Sequence, residues 1–350
     1  MIEDLIRQWD GFAVVTGHDA ETDCWFFIAM HDITLGVAVG GTRMKIYDTP
    51  ADGLRDAMRL AEGMTNKWAG VGIPYGGGKG VIALSQPAAY GDRERLLRSY
   101  GRLLGSLHGA FMTGQDLGTF PEDMVMIARE GKYVHGVDLE SGSAIDPGPY
   151  TARGVMVGIR AAVRDAFGSD DLTGRSVLIQ GAGDVGGPLA DELHAAGATL
   201  LISDVDADRA KAVAARVHGR IVAPENVYGT SCDVYAPCAV GATVNAETIP
   251  NLACRIVAGS ANNQLAEIKD AERLRAHGIL YAPDYIINGG GAAAFGLMAQ
   301  GTKDEAALMA KVEGIEQVLG GIFREAKARD ESPVAAAQRA VDRVLGRSAA

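Results

Sequence analysis

The chain has 350 residues and a net charge of −11, with 47% hydrophobic and 22% charged residues. That length is too great for one ordinary core, so two domains are expected. The acidic balance argues against nucleic acid as a partner, because phosphate binding needs a basic surface.

In chain order, residues 25–30 (WFFIAM) and 34–39 (TLGVAV) read as strands, the second ended by Gly40 and Gly41. Leu54, Ala57, Met58 and Ala61 mark a helix over residues 52–64. Residues 63–84 read GMTNKWAGVGIPYGGGKGVIAL, and Lys67 and Lys79 are their only ionisable groups apart from a tyrosine. Glycines let a backbone approach a ligand closely or adopt positive φ, and a lysine in apolar surroundings loses proton affinity and can serve as a base. A glycine-rich turn whose lysines snorkel to water is the structural alternative. A short strand at 81–84 follows, then an amphipathic helix over 93–107. Next come a strand at 109–112, the polar loop TGQDLG from Thr113, and a helix opened by Phe120 and Pro121. Asp116 in that loop could relay protons beside Lys79 or simply stabilise a turn.

Residues 136–150, rich in Gly, Pro, Ser and Asp, read as a connector. The domain boundary is placed there, between 140 and 141. A helix over 151–167 leads into alternating strands and helices, with strands at 177–180, 199–203, 234–236, 256–258 and 279–282. That alternation implies a parallel sheet covered on both faces. Val312, Ile315, Leu319 and Ile322 mark a helical face in the tail, and Ser332–Pro333 caps a last helix.

Residues 177–186 read VLIQGAGDVG. Gly181, Gly183 and Gly186, with Ala182, Asp184 and Val185 between them, form a G-x-G-x-x-G turn between a strand and a helix. Such turns seat a pyrophosphate on a helix N-terminus. Asp204 closes the next strand, where an acid grips the ribose hydroxyls and repels a 2′-phosphate, so NAD is the expected cofactor. Asp204 as a plain helix N-cap is the alternative. The segments GSANNQ from Gly259 and IINGGG from Ile286 are further glycine-bearing breaks that could bind ligand or be structural loops.

Four cysteines, Cys24, Cys232, Cys238 and Cys254, make no C-x-x-C pair, and the seven histidines lack ligand spacing. They are read as buried apolar residues and scattered imidazoles, with no metal. No apolar run reaches membrane-spanning length. The opening MIEDLIRQWDGF lacks a signal-peptide core, so a cytoplasmic protein with no membrane partner is expected.

Together the segments GGTRM, GMTNK, GGGKGVI, TGQD, GAGDVG, APCA, AGSANNQL and YAPDYIINGGG resemble the glutamate/leucine/phenylalanine/valine amino acid dehydrogenase family, with most likeness to its leucine/phenylalanine/valine branch. The resemblance covers essentially the whole chain. It implies two α/β domains around a cleft: an N-terminal catalytic and dimerisation domain (1–140, with helix 331–350 packing back on it) and a C-terminal Rossmann domain for NAD (141–330). It implies a homodimer or larger homo-oligomer, and reversible oxidative deamination of an apolar L-amino acid to the 2-oxo acid, ammonium and NADH. In that pattern Lys79 is the base, assisted by Asp116. Lys67 grips the substrate α-carboxylate with Gly40, Gly41 and Asn288. Val39, Gly114, Ala292 and Phe295 shape the side-chain pocket. Thr151, Asn262, Cys238 and Ala239 join the glycine turn and Asp204 on the cofactor. The run after Asn288, against the side-chain pocket, and the peripheral Ser85-Gln86-Pro87 segment depart from the family pattern. A biosynthetic dehydrogenase of an unusual amino or oxo acid, and a non-catalytic sensor of amino acid or nucleotide, are the alternatives.

Overall fold

The computed structural model describes residues 2–86 and 93–347; Pro87 lies outside the described residues. The chain divides into two compact units, Met1–Asp146 with Phe295–Gly301, and Pro147–Ala294 with Thr302–Ala350.

The first unit runs α1 (Ile2–Gln8), β1 (Ala13–Asp19), β2 (Cys24–Met30), β3 (Ala38–Ile46), α2 (Pro50–Val71), β4 (Gly76–Leu84), α3 (Arg93–Ser106), β5 (Phe111–Gln115), α4 (Pro121–Gly131) and a small hairpin, β6 (Val137–Asp138) with β7 (Ser143–Ala144). Its sheet has the order β1-β2-β4-β3-β5. The β1–β2 and β2–β4 pairs are antiparallel, while β3 runs parallel to β4 and β5. All nine residues of β4 are buried, and strand alternation sorts them. Val81 and Ala83 pack with Leu54, Ala57, Met58 and Ala61 of α2. Ile82 and Leu84 pack with Leu96, Leu97, Tyr100 and Ile127 of α3 and α4. Lys79 therefore belongs to the α2 face.

The glycines around Lys79 form a central strand, where a loop was expected. None of Gly76, Gly77, Gly78 and Gly80 takes a positive φ. A Cβ at Gly77 would run into Thr65 of α2, one at Gly78 would lie 2.7 Å from the Phe111 ring, and one at Gly80 would run into the Tyr100 hydroxyl. Close packing explains the run. Three other expectations shift. The strand expected at 34–39 is β3, which runs through Gly40 and Gly41 to Ile46. Helix α2 continues to Val71 and carries Lys67. Strand β5 begins two residues later than expected and reaches Gln115. The limits of α2 are local: the Thr49 side chain accepts the Asp52 N–H, Pro50 fills the first turn, and Gly72 ends the helix at φ 64°.

The second unit runs α5 (Gly148–Phe167), β8 (Ser176–Gln180), α6 (Gly186–Ala195), β9 (Thr199–Ser203), α7 (Ala207–Arg216), β10 (Arg220–Ile221), β11 (Val234–Pro237), β12 (Ile256–Val257), α8 (Asp270–Ala276), β13 (Leu280–Tyr281), α9 (Asp284–Ile287), the start of α10 (Gly290–Ala299, whose residues from Phe295 on belong to the first unit), α11 (Glu305–Glu313), α12 (Ile315–Arg329) and α13 (Pro333–Leu345). Its six strands are all parallel in the order β10-β9-β8-β11-β12-β13. In order of appearance that is 3-2-1-4-5-6, the doubly wound dinucleotide-binding arrangement. The glycine break expected after Asn288 is helical: Gly290 and Gly291 open α10, and a Cβ on Gly290 would run into the Tyr150 carbonyl. Helix α13, expected to return to the first domain, belongs to the second unit. Ala336 and Ala337 lie in the core of the second unit with Leu319, Ile322 and Phe323 of α12. The segment that returns to the first unit is Phe295–Gly301, and the boundary falls at Asp146/Pro147. Among the described residues, no helix is long and apolar enough to cross a membrane.

Candidate active site

In the first unit, Lys79 on β4 and Asp116 just beyond β5 flank β3. Lys79 Nζ lies 2.8 Å from Asp116 Oδ1. Val39 pairs with Gly77 and Thr42 with Gly80, so Gly41 is the β3 position level with Lys79, and it pairs with Gly114 on β5. A Cβ on Gly41 would lie 2.8 Å from Asp116 Cβ. The missing side chain leaves room for the lysine to cross β3 and reach the carboxylate. A Cβ on Gly40 would run into the Gly78 carbonyl, so both glycines have a packing reason beyond any ligand contact.

Lys79 is 4% exposed. Burial holds its amine below the usual lysine range; Asp116 opposes that and Arg43 adds to it. Burial pushes Asp116 up, but the charges of Lys79 and Arg43 outweigh it and hold the carboxyl well below its ordinary value. The pair is thus an ionised carboxylate beside a lysine that gives up its proton more readily than a solvated one.

Arg43 was not singled out from the sequence, although GGTRM was. Its Nε donates to Asp116 Oδ2 at 2.9 Å and a terminal nitrogen donates to Asp56 Oδ2 at 3.0 Å. The Tyr47 hydroxyl also donates to Asp56 Oδ2, at 2.7 Å. A charged residue two positions past Gly41, on the same face of a strand, was the available signal. His135 was also passed over. Burial pushes its imidazole down to about 4, and its Nε2 is buried without a partner.

Lys67 is half-buried on α2, and the next residue, Trp68, donates from Nε1 to the Val39 carbonyl at 2.8 Å. Val39 is buried. A Cβ on Gly114 would meet nothing within 4 Å, so open space adjoins β5 at that position. The Phe295 ring lies over Gly136, 3.2 Å from where a Cβ would be.

In the second unit, Gly181 has φ 100° and a Cβ there would lie 2.8 Å from Ala239 Cβ and 3.0 Å from the Cys238 carbonyl carbon. Cys238 and Ala239 follow β11, and Gly181 follows β8, so these residues meet where the strand order reverses, the place where such sheets bind ligands. A Cβ on Gly186 would run into the Gly181 carbonyl, while one on Gly183 would meet nothing within 4 Å. Tight turn, open approach and close helix packing are the three tasks of a dinucleotide turn, so the residues fit that cofactor. Ala182, Asp184 and Val185 complete the turn, and α6 starts without a side-chain cap on Val185. Asp204 accepts the Ala182 and Asp206 N–H groups, each at 2.8 Å. It is not the N-cap of α7; that is Asp206.

Thr151, on the first turn of α5, donates from Oγ1 to the Pro147 carbonyl at 3.0 Å. A Cβ on Gly291 would lie 2.7 Å from that Oγ1, and Ala292 is the next residue of α10. Asn288 is buried, and its Nδ2 donates to Ser260 O at 3.1 Å and Asn262 Oδ1 at 2.9 Å. Its Oδ1 is buried without a partner. That oxygen can only accept a hydrogen bond. Among the described residues, no group of three or more His, Cys, Asp or Glu could hold a metal ion.

A family model described as Glu/Leu/Phe/Val dehydrogenase, dimerisation domain, matches residues 21–133, and one described as Glutamate/Leucine/Phenylalanine/Valine dehydrogenase matches residues 201–345. A leucine dehydrogenase of Bacillus cereus is 40% identical over 338 residues, 97% of this chain and 92% of that one. An L-tryptophan dehydrogenase of Nostoc punctiforme is 40% identical over 346 residues, covering 98% and 96%. The crystal structure of L-tryptophan dehydrogenase from Nostoc punctiforme superposes with a TM-score of 0.80 at 38% identity, covering 99% of this chain and 98% of that chain.

Proposed function

Because this chain belongs to the glutamate/leucine/phenylalanine/valine dehydrogenase family, we propose that it carries out reversible oxidative deamination of an apolar L-amino acid with NAD. It is an amino acid dehydrogenase, an oxidoreductase acting on CH–NH2 donors. The observation that carries the reading is the buried Lys79–Asp116 pair at 2.8 Å. A binding-only protein has no use for a buried amine whose proton affinity has been lowered.

The glycine turn from Gly181 to Gly186, with Cys238, Ala239, Thr151 and Asn262, would hold the dinucleotide, which when bound accepts the hydride of the substrate Cα–H. Asp204 and Asp206 face one arginine, Arg209, at 3.7 and 3.6 Å. The local charge is then negative, which disfavours a 2′-phosphate and supports NAD over NADP. Lys79, in its neutral form, takes a proton from the water that adds to the imino carbon and returns it to the departing amine. Asp116 receives and steadies the lysinium that forms. Lys67 pairs with the α-carboxylate.

Substrate choice follows from Val39 and Gly114. Buried Val39 offers no partner for a second carboxylate, and an unpaired buried charge costs several kcal/mol. The open space at Gly114 admits a long aliphatic or aromatic side chain. A homo-oligomer built through the first unit is consistent with the dimerisation domain matched there, and four free thiols suit a reducing cytoplasm. The test is NADH or NADPH formation across a panel of L-amino acids. Leucine-, phenylalanine- or tryptophan-like substrates with NAD are expected to lead. Glutamate turnover rivalling the best apolar substrate would overturn the pocket, and no turnover of any amino acid would overturn the activity.

A further inference from the structure

We infer that Arg43 is the positioning residue of this site, a fixed cation clamped between Asp56 and Asp116 that turns one oxygen of Asp116 toward Lys79 and lets the lysine become neutral beside a carboxylate. The inference rests on the reading of Lys79 as the base.

The clamp has two ends. One nitrogen of the guanidinium holds Asp116 Oδ2 at 2.9 Å, which leaves Oδ1 for Lys79 at 2.8 Å. Another holds Asp56 Oδ2 at 3.0 Å. Asp56 is fixed in turn by the Tyr47 hydroxyl at 2.7 Å and by Arg59 at 2.9 Å from its other oxygen. The side chains of Arg43 and Asp56 are each 11% exposed, and that of Asp116 is 14% exposed. A planar fork holds two carboxylates at fixed angles, whereas a lysine offers one rotatable point charge on a flexible stem. The Asp116 backbone is tied down as well: its N–H donates to Thr119 Oγ1 at 3.0 Å.

The charge balance gives the clamp its consequence. Lys79, Arg43 and Arg59 are three cations against two anions, Asp56 and Asp116. Loss of the Lys79 proton takes the cluster from +1 to zero. Without Arg43 the same loss would leave a net −1 in a buried site, which costs free energy. The charges that weigh most on Lys79 are Asp116 after β5, Arg43 on β3 and Asp56 on α2. Arg43 draws the lysine's proton affinity down, while the two carboxylates draw it up.

The experiment is the pH profile of kcat/KM for amino acid oxidation in the intact enzyme, with Arg43→Gln, Arg43→Lys, Asp56→Asn and Lys79→Ala. Arg43→Gln should move the acid limb to higher pH and lower kcat on the order of tenfold through misplacement of Asp116, with NAD affinity unchanged. Arg43→Lys should restore the limb but not the full kcat. Asp56→Asn removes an anion and should move the limb the opposite way, to lower pH. If Arg43→Gln does not fold, Asp56→Asn decides: a limb at lower pH supports the clamp and an unmoved limb overturns it. A wild-type limb in folded Arg43→Gln, or a defect confined to KM, also overturns it. Lys79→Ala separates the two claims. If it keeps the wild-type limb, the base assignment fails; if it is inactive while Arg43→Gln shows no shift, only the clamp fails.

Discussion

At the residue scale the site is one buried amine and the groups that set its charge. Lys79 stood out in the sequence because a charge isolated in an apolar stretch has to be accounted for, and Asp116 only as the acid of a polar loop that could equally have stabilised a turn. Arg43 was not, because nothing in the order of residues shows that positions 43, 56, 79 and 116 meet; three strands and a helix bring them together. Lys67 lies on the same helix as Asp56, and α2 covers the Lys79 face of the sheet. If it pairs with the α-carboxylate, Lys67→Ala should raise KM for both the amino acid and the 2-oxo acid and leave cofactor affinity alone; unchanged KM for both would remove it from the site. Gly114 has open space where its Cβ would be. Gly114→Ala should fold normally and shift preference toward smaller side chains, read as the ratio of kcat/KM for a large and a small apolar substrate. An unchanged ratio would place the side-chain pocket elsewhere.

At the element scale, the glycines of β4 were misread as a loop because a single sequence does not show what lies against each one. Their use is steric. Gly80 faces the Tyr100 hydroxyl, which is already bonded to Thr42 Oγ1 at 2.8 Å. Gly80→Ala must displace that ring from a fully buried position, and should cost about 1–3 kcal/mol, the usual penalty of overpacking a core. Denaturant unfolding checks it, and a loss under about 0.5 kcal/mol, typical of surface changes, would contradict the packing account. Helices with clear punctuation were read well. Ser332 caps α13 as its position before Pro333 suggested, whereas α2 was ended at residue 64, short of Val71 and of Gly72, its C-cap at φ 64°. Strand β1 was missed because it pairs only with β2 at the sheet edge, with Gly17, His18 and Asp19 diluting its apolar run.

At the scale of the whole molecule, the second unit was the more legible of the two. A regular alternation of strand and helix admits few arrangements, and the right-handed crossover rule fixes most of the remainder. The mixed sheet of the first unit has no such rule, and the membership of α13 depended on which core its apolar face would join. The negative local charge around Asp204 belongs to this scale, because it joins β9 to α7. It predicts a higher kcat/KM for NAD than for NADP with the same amino acid, and equal efficiencies would remove Asp204 from cofactor selection. The central claim is that Lys79, buried and paired with Asp116, performs the proton transfers. The measurement that tests it most directly is kcat of Lys79→Ala on the best substrate, with NADH affinity measured alongside. The account predicts a loss on the order of 10²- to 10⁴-fold, the usual worth of a general base, with NADH binding intact. A loss of less than about tenfold would contradict it.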